Sequence, residues 1–240
     1  MTSDSPRGSS QRGESFVEAL SAYSRFHRAQ HWSGTFGEFL RTVVPGNARQ
    51  LARSSHEYLW DMLNWFGKNP TGPNATSNLN GNGNGNGEGG AGAKELFKRE
   101  LFGIDEPLGR IVDYFKAAAS GSDVGRRLLL LLGPPSGGKS TMAILLKRGL
   151  EEYSHTDEGA VYALQGSPMH ESPLNLIPAS LRGEFRDTYG VEIKGELSPW
   201  ARDRLEREFE GDFLRMPVER VFLSEAARVG VGTYAPHDPT

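Results

Sequence analysis

The strongest constraint on the fold of this 240-residue chain is a short apolar run followed by a glycine-rich loop. Residues 128–132 are five consecutive leucines. An unbroken apolar run of this length is typical of a parallel strand that is covered on both faces. The loop that follows matches the pattern G-x-x-x-x-G-K-[S/T] and consists of Gly133, Pro134, Pro135, Ser136, Gly137, Gly138, Lys139 and Ser140. Residues 139–152 then have the pattern of a helix, so the motif lies between a strand and a helix, as a phosphate-binding P-loop requires.

The residues of this motif suit the binding of a nucleotide together with Mg²⁺. The glycines allow the backbone to approach a phosphate, and the N–H groups at the start of the helix point toward it. We expect Lys139 to contact the β- and γ-phosphates, Ser140 to supply its hydroxyl to Mg²⁺, and Thr141 to face the α-phosphate. The alternative is a glycine-rich turn that binds nothing, but such a turn has no need of a lysine and a serine at these positions. The predicted ligands are therefore ATP and Mg²⁺.

Helical and strand patterns alternate on both sides of the motif. A helix is predicted from Asp105 to the region of Gly121, and another over residues 199–209 with Ser198 as its cap. Residues 160–164 and 220–223 are strand candidates. This alternation predicts an open α/β fold with a parallel sheet over residues 95–240.

The first third of the chain has a different pattern. Residues 1–14 are polar and are predicted to be a disordered tail, and residues 15–66 are predicted to form a small helical module. Within that module, Thr35 and Glu38 have the spacing of a capping box at the start of a short helix. A second helix is predicted to begin at Asn47 and to extend to residue 66. Residues 67–94 are rich in glycine and asparagine and are expected to be a flexible linker.

Composition limits the functions that are open to the chain. Its 27 basic and 30 acidic residues give a net charge of −3, which offers no field for nucleic acid or an anionic membrane surface. The absence of cysteine excludes disulfides and thiolate metal sites. Since the longest apolar run is far too short to cross a bilayer and no secretory signal is present, we expect a cytoplasmic protein that binds neither nucleic acid nor membrane.

Parts of a complete nucleotide-hydrolysing domain are missing from the pattern. Hydrolysis or phosphoryl transfer needs an acidic residue near the end of another strand. The nearest candidate is Glu225, for which a surface acid in a loop is the competing interpretation. The last residues resemble a loop rather than a closing element, so we expect an α/β domain that is incomplete at its C-terminus.

Several segments, taken in order, resemble one family. The P-loop with its preceding leucines and the stretch LFGIDE (101–106) are similar to the opening of the AAA domain of the PrkA family of bacterial serine protein kinases. The similarity continues in GSPMHESPL (166–174), YGV (189–191), GELSPW (195–200) and RVGVGT (228–233). The leading helices resemble the family too, whereas the Gly/Asn linker departs from it.

The resemblance implies an AAA-type P-loop NTPase fold and a cytoplasmic, ATP-dependent serine protein kinase with a protein substrate. By analogy with AAA folds, Phe102, Gly103 and Ile104 would line an adenine pocket, although they could also be ordinary core anchors. His170 and Glu171 could form a functional pair, but a structural loop contact explains them as well. The alternatives are an AAA motor or ATP-dependent protease, which would form a homo-oligomer, and a nucleotide-binding regulatory fragment without catalysis of its own.

Overall fold

A computed structural model describes residues 16–18, 20–21, 31–69, 94–98, 100–134 and 137–230. The predicted tail and most of the predicted Gly/Asn linker lie outside the described residues. The same is true of Pro135 and Ser136 in the P-loop motif and of residues 231–240.

The described elements are mostly helices. The α-helices are α1 (Phe36–Thr42), α2 (Val44–Leu51), α3 (Ser55–Lys68), α4 (Glu95–Lys98), α5 (Asp105–Ala119), α6 (Lys139–Ser154), α7 (Arg182–Tyr189) and α8 (Pro199–Phe209). The strands are β1 (Ser33–Thr35), β2 (Val161–Leu164) and β3 (Pro217–Val221), and short 3-10 turns occur at Asp123–Arg126, Pro173–Leu176, Ala179–Leu181 and Phe213–Arg215. No described helix is long and apolar enough to cross a membrane.

Capping residues explain where the first helices begin. The predicted capping box at the start of α1 is confirmed, because Thr35 Oγ1 accepts from Glu38 N at 3.2 Å and the Glu38 carboxylate accepts from Thr35 N at 2.7 Å. The prediction of an Asn47 cap is wrong, since Asn47 lies inside α2. A second capping box, formed by Ser54 and Glu57, starts α3 instead and divides the predicted long helix in two.

The described sheet is small and antiparallel, with strand order β1-β3-β2. Val161 lies opposite Val221 and Leu164 lies opposite Val218. The expectation of a buried parallel strand at residues 128–132 is not met, because this segment has no strand partner among the described residues and its leucines are largely exposed. β3 begins at Pro217, three residues before the predicted strand, because a proline is accepted as the first residue of a strand.

Two groups of buried side chains hold the described part of the chain together. The first, the sheet cluster, combines α1 and α2 with β2, β3 and α8, and it includes Phe36, Phe39, Val44, Leu164, Ala201, Leu205, Met216 and Val218. The second, the helix cluster, combines α3 to α6 and includes Met62, Leu63, Phe66, Leu96, Phe97, Leu108, Val112, Met142 and Leu145. The predicted helical module therefore contributes to both clusters. The helix cluster includes Met142 in the first turn of α6, the helix that follows the P-loop.

Candidate nucleotide-binding site

The P-loop motif leads into the N-terminus of α6. Gly138 occupies the N-cap position with φ of 77°, in the left-handed region that favours glycine. Its carbonyl accepts from Met142 N at 2.9 Å, which is the first helical hydrogen bond of α6. Gly137 N donates to Pro134 O at 3.2 Å, and a Cβ added at Gly137 would lie only 3.0 Å from that oxygen. Both glycines thus shape a tight turn before the helix.

The lysine of the motif folds over the loop. Lys139 Nζ donates to Gly133 O at 2.8 Å and to Pro134 O at 2.5 Å. The ammonium group is therefore held against the carbonyl groups of the loop. Ser140 is exposed in the first turn of α6, and Thr141 is half-buried beside it. This order places a cation and two hydroxyl groups at one end of the helix, where free N–H groups also favour anions.

The segment before α5 lies beside the same loop. A Cβ added at Gly138 would be 3.0 Å from Leu101 Cδ2 and 3.5 Å from Ile104 Cδ1. Ile104 thus lies near the P-loop, and so does Leu101, which was not among the predicted site residues. Gly103 has φ of 72°, and the ring of Phe102 is 82% exposed.

The five leucines that precede the loop remain accessible to solvent. Leu128 and Leu132 are 89% and 82% exposed, and Leu130 is 66% exposed. Leu131 is the member of the run that packs against the helix cluster. An apolar segment this exposed is unusual in a folded domain.

Glu225, the weak candidate for a catalytic acid, lies away from the P-loop. Its carboxylate pairs with Lys147, which is eight residues beyond Lys139 and so roughly 12 Å farther along the helix axis. Its backbone N–H donates to the Glu151 carboxylate. The described residues also contain no cluster of three or more His, Asp or Glu side chains suited to a metal ion. Within them, the hydroxyl of Ser140 is the candidate protein ligand for Mg²⁺.

His170 and Glu171 lie in different surroundings. The Glu171 carboxylate is buried and accepts from Ser198 N at 2.7 Å and from Ser198 Oγ at 2.6 Å, at the cap of α8. His170 is exposed and has a positive φ of 47°. The geometry favours a structural role for Glu171, in agreement with the alternative interpretation of this motif.

The far end of α6 is anchored by the N-terminal helices. Gly149 packs so closely that an added Cβ would lie 2.8 Å from Met62 Sδ and 3.2 Å from Phe66 Cε2. Arg53 donates to Asp61 at 2.8 Å and to the Tyr153 hydroxyl at 3.1 Å. These contacts fix the direction of the helix whose first residues carry the P-loop.

Burial and hydrogen bonding shift the pKa values of this anchor. Burial alone would lower the pKa of Arg53, but its hydrogen bonds to Asp61 and Tyr153 outweigh that effect and raise it. Burial raises the pKa of Tyr58, whose hydroxyl donates to Gly159 O at 2.8 Å, and also the pKa of Tyr153. The guanidinium therefore stays charged and the two phenols stay neutral at physiological pH.

Comparison with known proteins identifies the family of this chain. Residues 35–240 match the model of the PrkA AAA domain. The chain is 41% identical over 224 residues to a Bacillus subtilis (strain 168) protein named ATP-dependent protease PrkA, an alignment that covers 93% of this chain and 32% of that protein. It is 31% identical over 147 residues to the Escherichia coli (strain K12) serine/threonine kinase YeaG, covering 58% of this chain and 22% of the kinase.

A shorter match is to an uncharacterised Geobacillus stearothermophilus protein, at 30% identity over 98 residues, which cover 40% of this chain and 81% of that protein. No solved structure matches significantly. The chain spans about a third or less of the length of the two named relatives. Because the family model covers most of its residues, the chain belongs to the PrkA AAA domain family.

Proposed function

We propose that this chain binds Mg²⁺-ATP through the loop from Gly133 to Ser140 and the first turn of α6. The observation that carries the proposal is the left-handed Gly138 at the N-cap of α6, next to a lysine whose ammonium group is held against the loop carbonyl groups. Such a turn leaves the backbone N–H groups at the helix start available to a phosphate. The membership of the PrkA AAA domain family supports a nucleotide as the ligand.

Each residue has a separate task in this proposal. Lys139 exchanges its contacts with Gly133 O and Pro134 O for the β- and γ-phosphate oxygens. Ser140 orients its hydroxyl toward Mg²⁺, which neutralises phosphate charge when it is bound. Thr141 and the free N–H groups at the start of α6 complete the phosphate cradle. Phe102 stacks the exposed face of its ring on the adenine. Gly103 and Ile104, which lie beside the loop, line the rest of the adenine pocket.

We further propose that residues 128–132 belong to a parallel sheet in the longer proteins of the family. The support is physical, because five consecutive leucines that are largely exposed next to the P-loop carry a high free-energy cost of contact with water. The two named relatives each have at least two thirds of their length outside the alignment, where neighbouring strands could be encoded.

We also propose a function for the whole protein. This chain would be the ATP-binding portion of a cytoplasmic serine protein kinase that acts on a protein substrate. The name of the 31% identical relative favours this function. The name of the 41% identical relative favours a second candidate, an ATP-dependent protease or motor subunit that assembles as a homo-oligomer. A third candidate is a regulatory module that binds the nucleotide without turning it over.

Calorimetric titration with ATP tests the binding proposal. Wild-type protein should bind ATP with Mg²⁺ present, and Lys139→Ala should weaken binding at least tenfold, because a charge-assisted contact with phosphate is lost. Lys116→Ala removes an exposed lysine from α5 and serves as the matched control. Ser140→Ala should reduce the Mg²⁺-dependent part of the affinity more than the affinity for ATP alone. Equal affinities for wild type and Lys139→Ala would refute the proposed site.

The three candidates at the level of the whole protein are separated by their products. Transfer of labelled phosphate to serine identifies a kinase, and ATP-dependent cleavage of a protein identifies a protease. Binding without either product identifies the regulatory module.

A further inference from the structure

The short segment between α4 and α5 is fixed at both of its ends. Leu101 is 8% exposed, and its N–H donates to Phe97 O at 3.0 Å, which ties its backbone to the end of α4. Phe97 itself is fully buried in the helix cluster. At the other end of the segment, Ile104 is the N-cap of α5, and its carbonyl accepts from Leu108 N at 3.1 Å. The segment therefore has little freedom to move away from the cluster.

The side chain of Leu101 touches the turn that starts α6. A Cβ added at Gly138 would lie 3.0 Å from Leu101 Cδ2 and 3.5 Å from Ile104 Cδ1. Apart from the neighbours of Gly138 in the chain, no other described residue places an atom within 4 Å of that position. Gly138 has the left-handed φ of 77° with which the loop enters the helix. Leu101 thus packs on the residue that sets the shape of this turn.

Other contacts of the loop are internal to it. Lys139 Nζ donates to Gly133 O and to Pro134 O, so these hydrogen bonds connect the loop to itself. The packing of Leu101 on Gly138 instead connects the loop to the helix cluster, of which Leu101 is a member. This contact therefore determines where the turn lies relative to the packed part of the protein.

The residues around α4 contact one face of α6 near both of its ends. A Cβ added at Gly149 would lie 3.0 Å from Leu96 Cδ2, just as one added at Gly138 would meet Leu101. The two glycines are eleven residues apart, which places them about 20° apart around the helix axis and roughly 16 Å apart along it. Leu96 and Leu101 thus support the same face of α6, one at its last turns and one beneath the P-loop.

We propose that Leu101 is a positioning residue for the P-loop, which keeps the N–H groups at the start of α6 aligned for phosphate by holding Gly138. The inference rests on the proposed binding of Mg²⁺-ATP at this loop. A binding loop without its supporting side chain is less ordered, and a ligand must then supply the free energy that orders it. Because Leu101 acts through the phosphate-binding turn, its removal weakens every triphosphate ligand, with or without adenine.

Calorimetric titration of the full 240-residue chain with Mg²⁺-ATP and with Mg²⁺-triphosphate tests this role. Leu101→Ala should weaken the binding of both ligands by the same factor, about fivefold or more. Leu101→Met nearly conserves the side-chain volume and should bind both ligands within about twofold of wild type. Leu63→Ala is the matched control and should keep the wild-type affinities. It makes the same truncation at a fully buried residue of the same cluster that does not contact Gly138.

The outcomes separate positioning from general loosening of the cluster and from a contact with adenine. An equal loss for both ligands in Leu101→Ala, absent in Leu101→Met and Leu63→Ala, supports the proposal. Leu101→Val removes a single carbon, should show a smaller loss for both ligands, and carries the test if the alanine variant does not fold.

Three results would overturn this role of Leu101 while leaving the proposed nucleotide site intact. They are a loss for Mg²⁺-ATP alone, an equal loss in Leu63→Ala, and wild-type affinities in both Leu101→Ala and Leu101→Val. Wild-type protein that binds neither ligand would overturn the proposed function together with this inference.

Discussion

The first residues of α6 follow a loop and a leucine run that face solvent, whereas its last turns are packed against the N-terminal helices. At the front, Leu128 and Leu132 are more than four-fifths exposed. At the back, Gly149 lies so close to Met62 and Phe66 that one added carbon would overlap the methionine sulfur. One helix, α6, therefore joins a well-packed anchor to the exposed P-loop.

We infer from this difference that the residues that determine stability are separate from those proposed to bind ATP. Close packing and the Arg53 hydrogen bonds fix the position of the last turns of α6. Lys139 and Ser140 lie outside the buried core, so their side chains can contact a ligand without loss of core packing. Substitutions in the helix cluster around the last turns of α6 should therefore change the free energy of unfolding. Substitutions in the P-loop should change the affinity for ATP.

The largest expected effect comes from truncating a side chain of the helix cluster that packs against α6. Phe66 is fully buried in the helix cluster, so Phe66→Ala should destabilise the protein by about 3–5 kcal/mol. Urea unfolding measures this loss. Leu130→Ala at the exposed front should change stability by less than about 0.5 kcal/mol. Equal losses of stability in the two variants would contradict the inference that the helix cluster, and not the leucine run, determines the free energy of unfolding.

The next effect concerns the polar part of the anchor. Arg53→Ala removes the donor to Asp61, to Tyr153 and, at 3.0 Å, to Glu158 O, and should cost about 2–3 kcal/mol. Arg53→Lys keeps the charge but not the fork of donors, so it should recover less than half of that loss. Urea unfolding of both variants checks this order, and full recovery by lysine would show that only the charge matters.

Alkaline pH should weaken the anchor through its phenols. Burial raises the pKa of Tyr58 and Tyr153 in the folded protein, so their stabilising contribution is present below about pH 10 and is lost as pH rises above that value. Tyr58→Phe should cost about 1 kcal/mol at pH 8, because the hydrogen bond to Gly159 O is lost.

Urea unfolding between pH 8 and pH 11 measures this effect. The stability of Tyr58→Phe should fall less steeply above pH 10 than that of wild type, since one shifted group has been removed. Parallel curves for the two proteins would exclude Tyr58 as a source of the pH dependence.

The smallest effect on stability, and a specific effect on binding, is expected at Phe102. Its ring is 82% exposed, so Phe102→Ala should leave unfolding within about 0.5 kcal/mol of wild type. If Phe102 stacks on adenine, affinity for Mg²⁺-ATP should fall by about fivefold, while affinity for Mg²⁺-triphosphate stays unchanged. Calorimetric titration with both ligands measures this effect. Phe102→Ala and Phe66→Ala remove the same side chain, one from an exposed position and one from the core, so the two variants can be compared directly.

Local signals in the sequence predicted the helices well. The Thr35–Glu38 capping box, the Ser198 cap and the start of α6 at Lys139 are all found in the structure. Each depends on residues within one or two helical turns, which can be recognised without knowledge of the rest of the fold. The Asn47 cap was wrong because α2 already begins at Val44, with Pro45 in its first turn, so Asn47 lies inside the helix.

Contacts between distant residues were harder to predict. The antiparallel order of β1, β3 and β2 depends on pairing between residues more than 50 positions apart, and no local pattern reports it. The same holds for Leu101 beside Gly138 and for Arg53 beside Tyr153. The leucine run was predicted as a buried strand from its unbroken apolar pattern ahead of the P-loop, but burial depends on neighbours that the described residues do not provide.

Thermal unfolding of wild type and Lys139→Ala, with and without Mg²⁺-ATP, tests whether the loop from Gly133 to Ser140 binds ATP. Ligand at a hundredfold excess over its dissociation constant adds about 2.7 kcal/mol to the stability of the native state, which for a chain of this size raises Tm by roughly 5–10 °C. We expect this rise in wild type and its loss in Lys139→Ala, with equal Tm values for the two proteins in the absence of nucleotide. No rise in wild type, or the same rise in Lys139→Ala, would contradict the assignment of Gly133 to Ser140 as the ATP-binding loop.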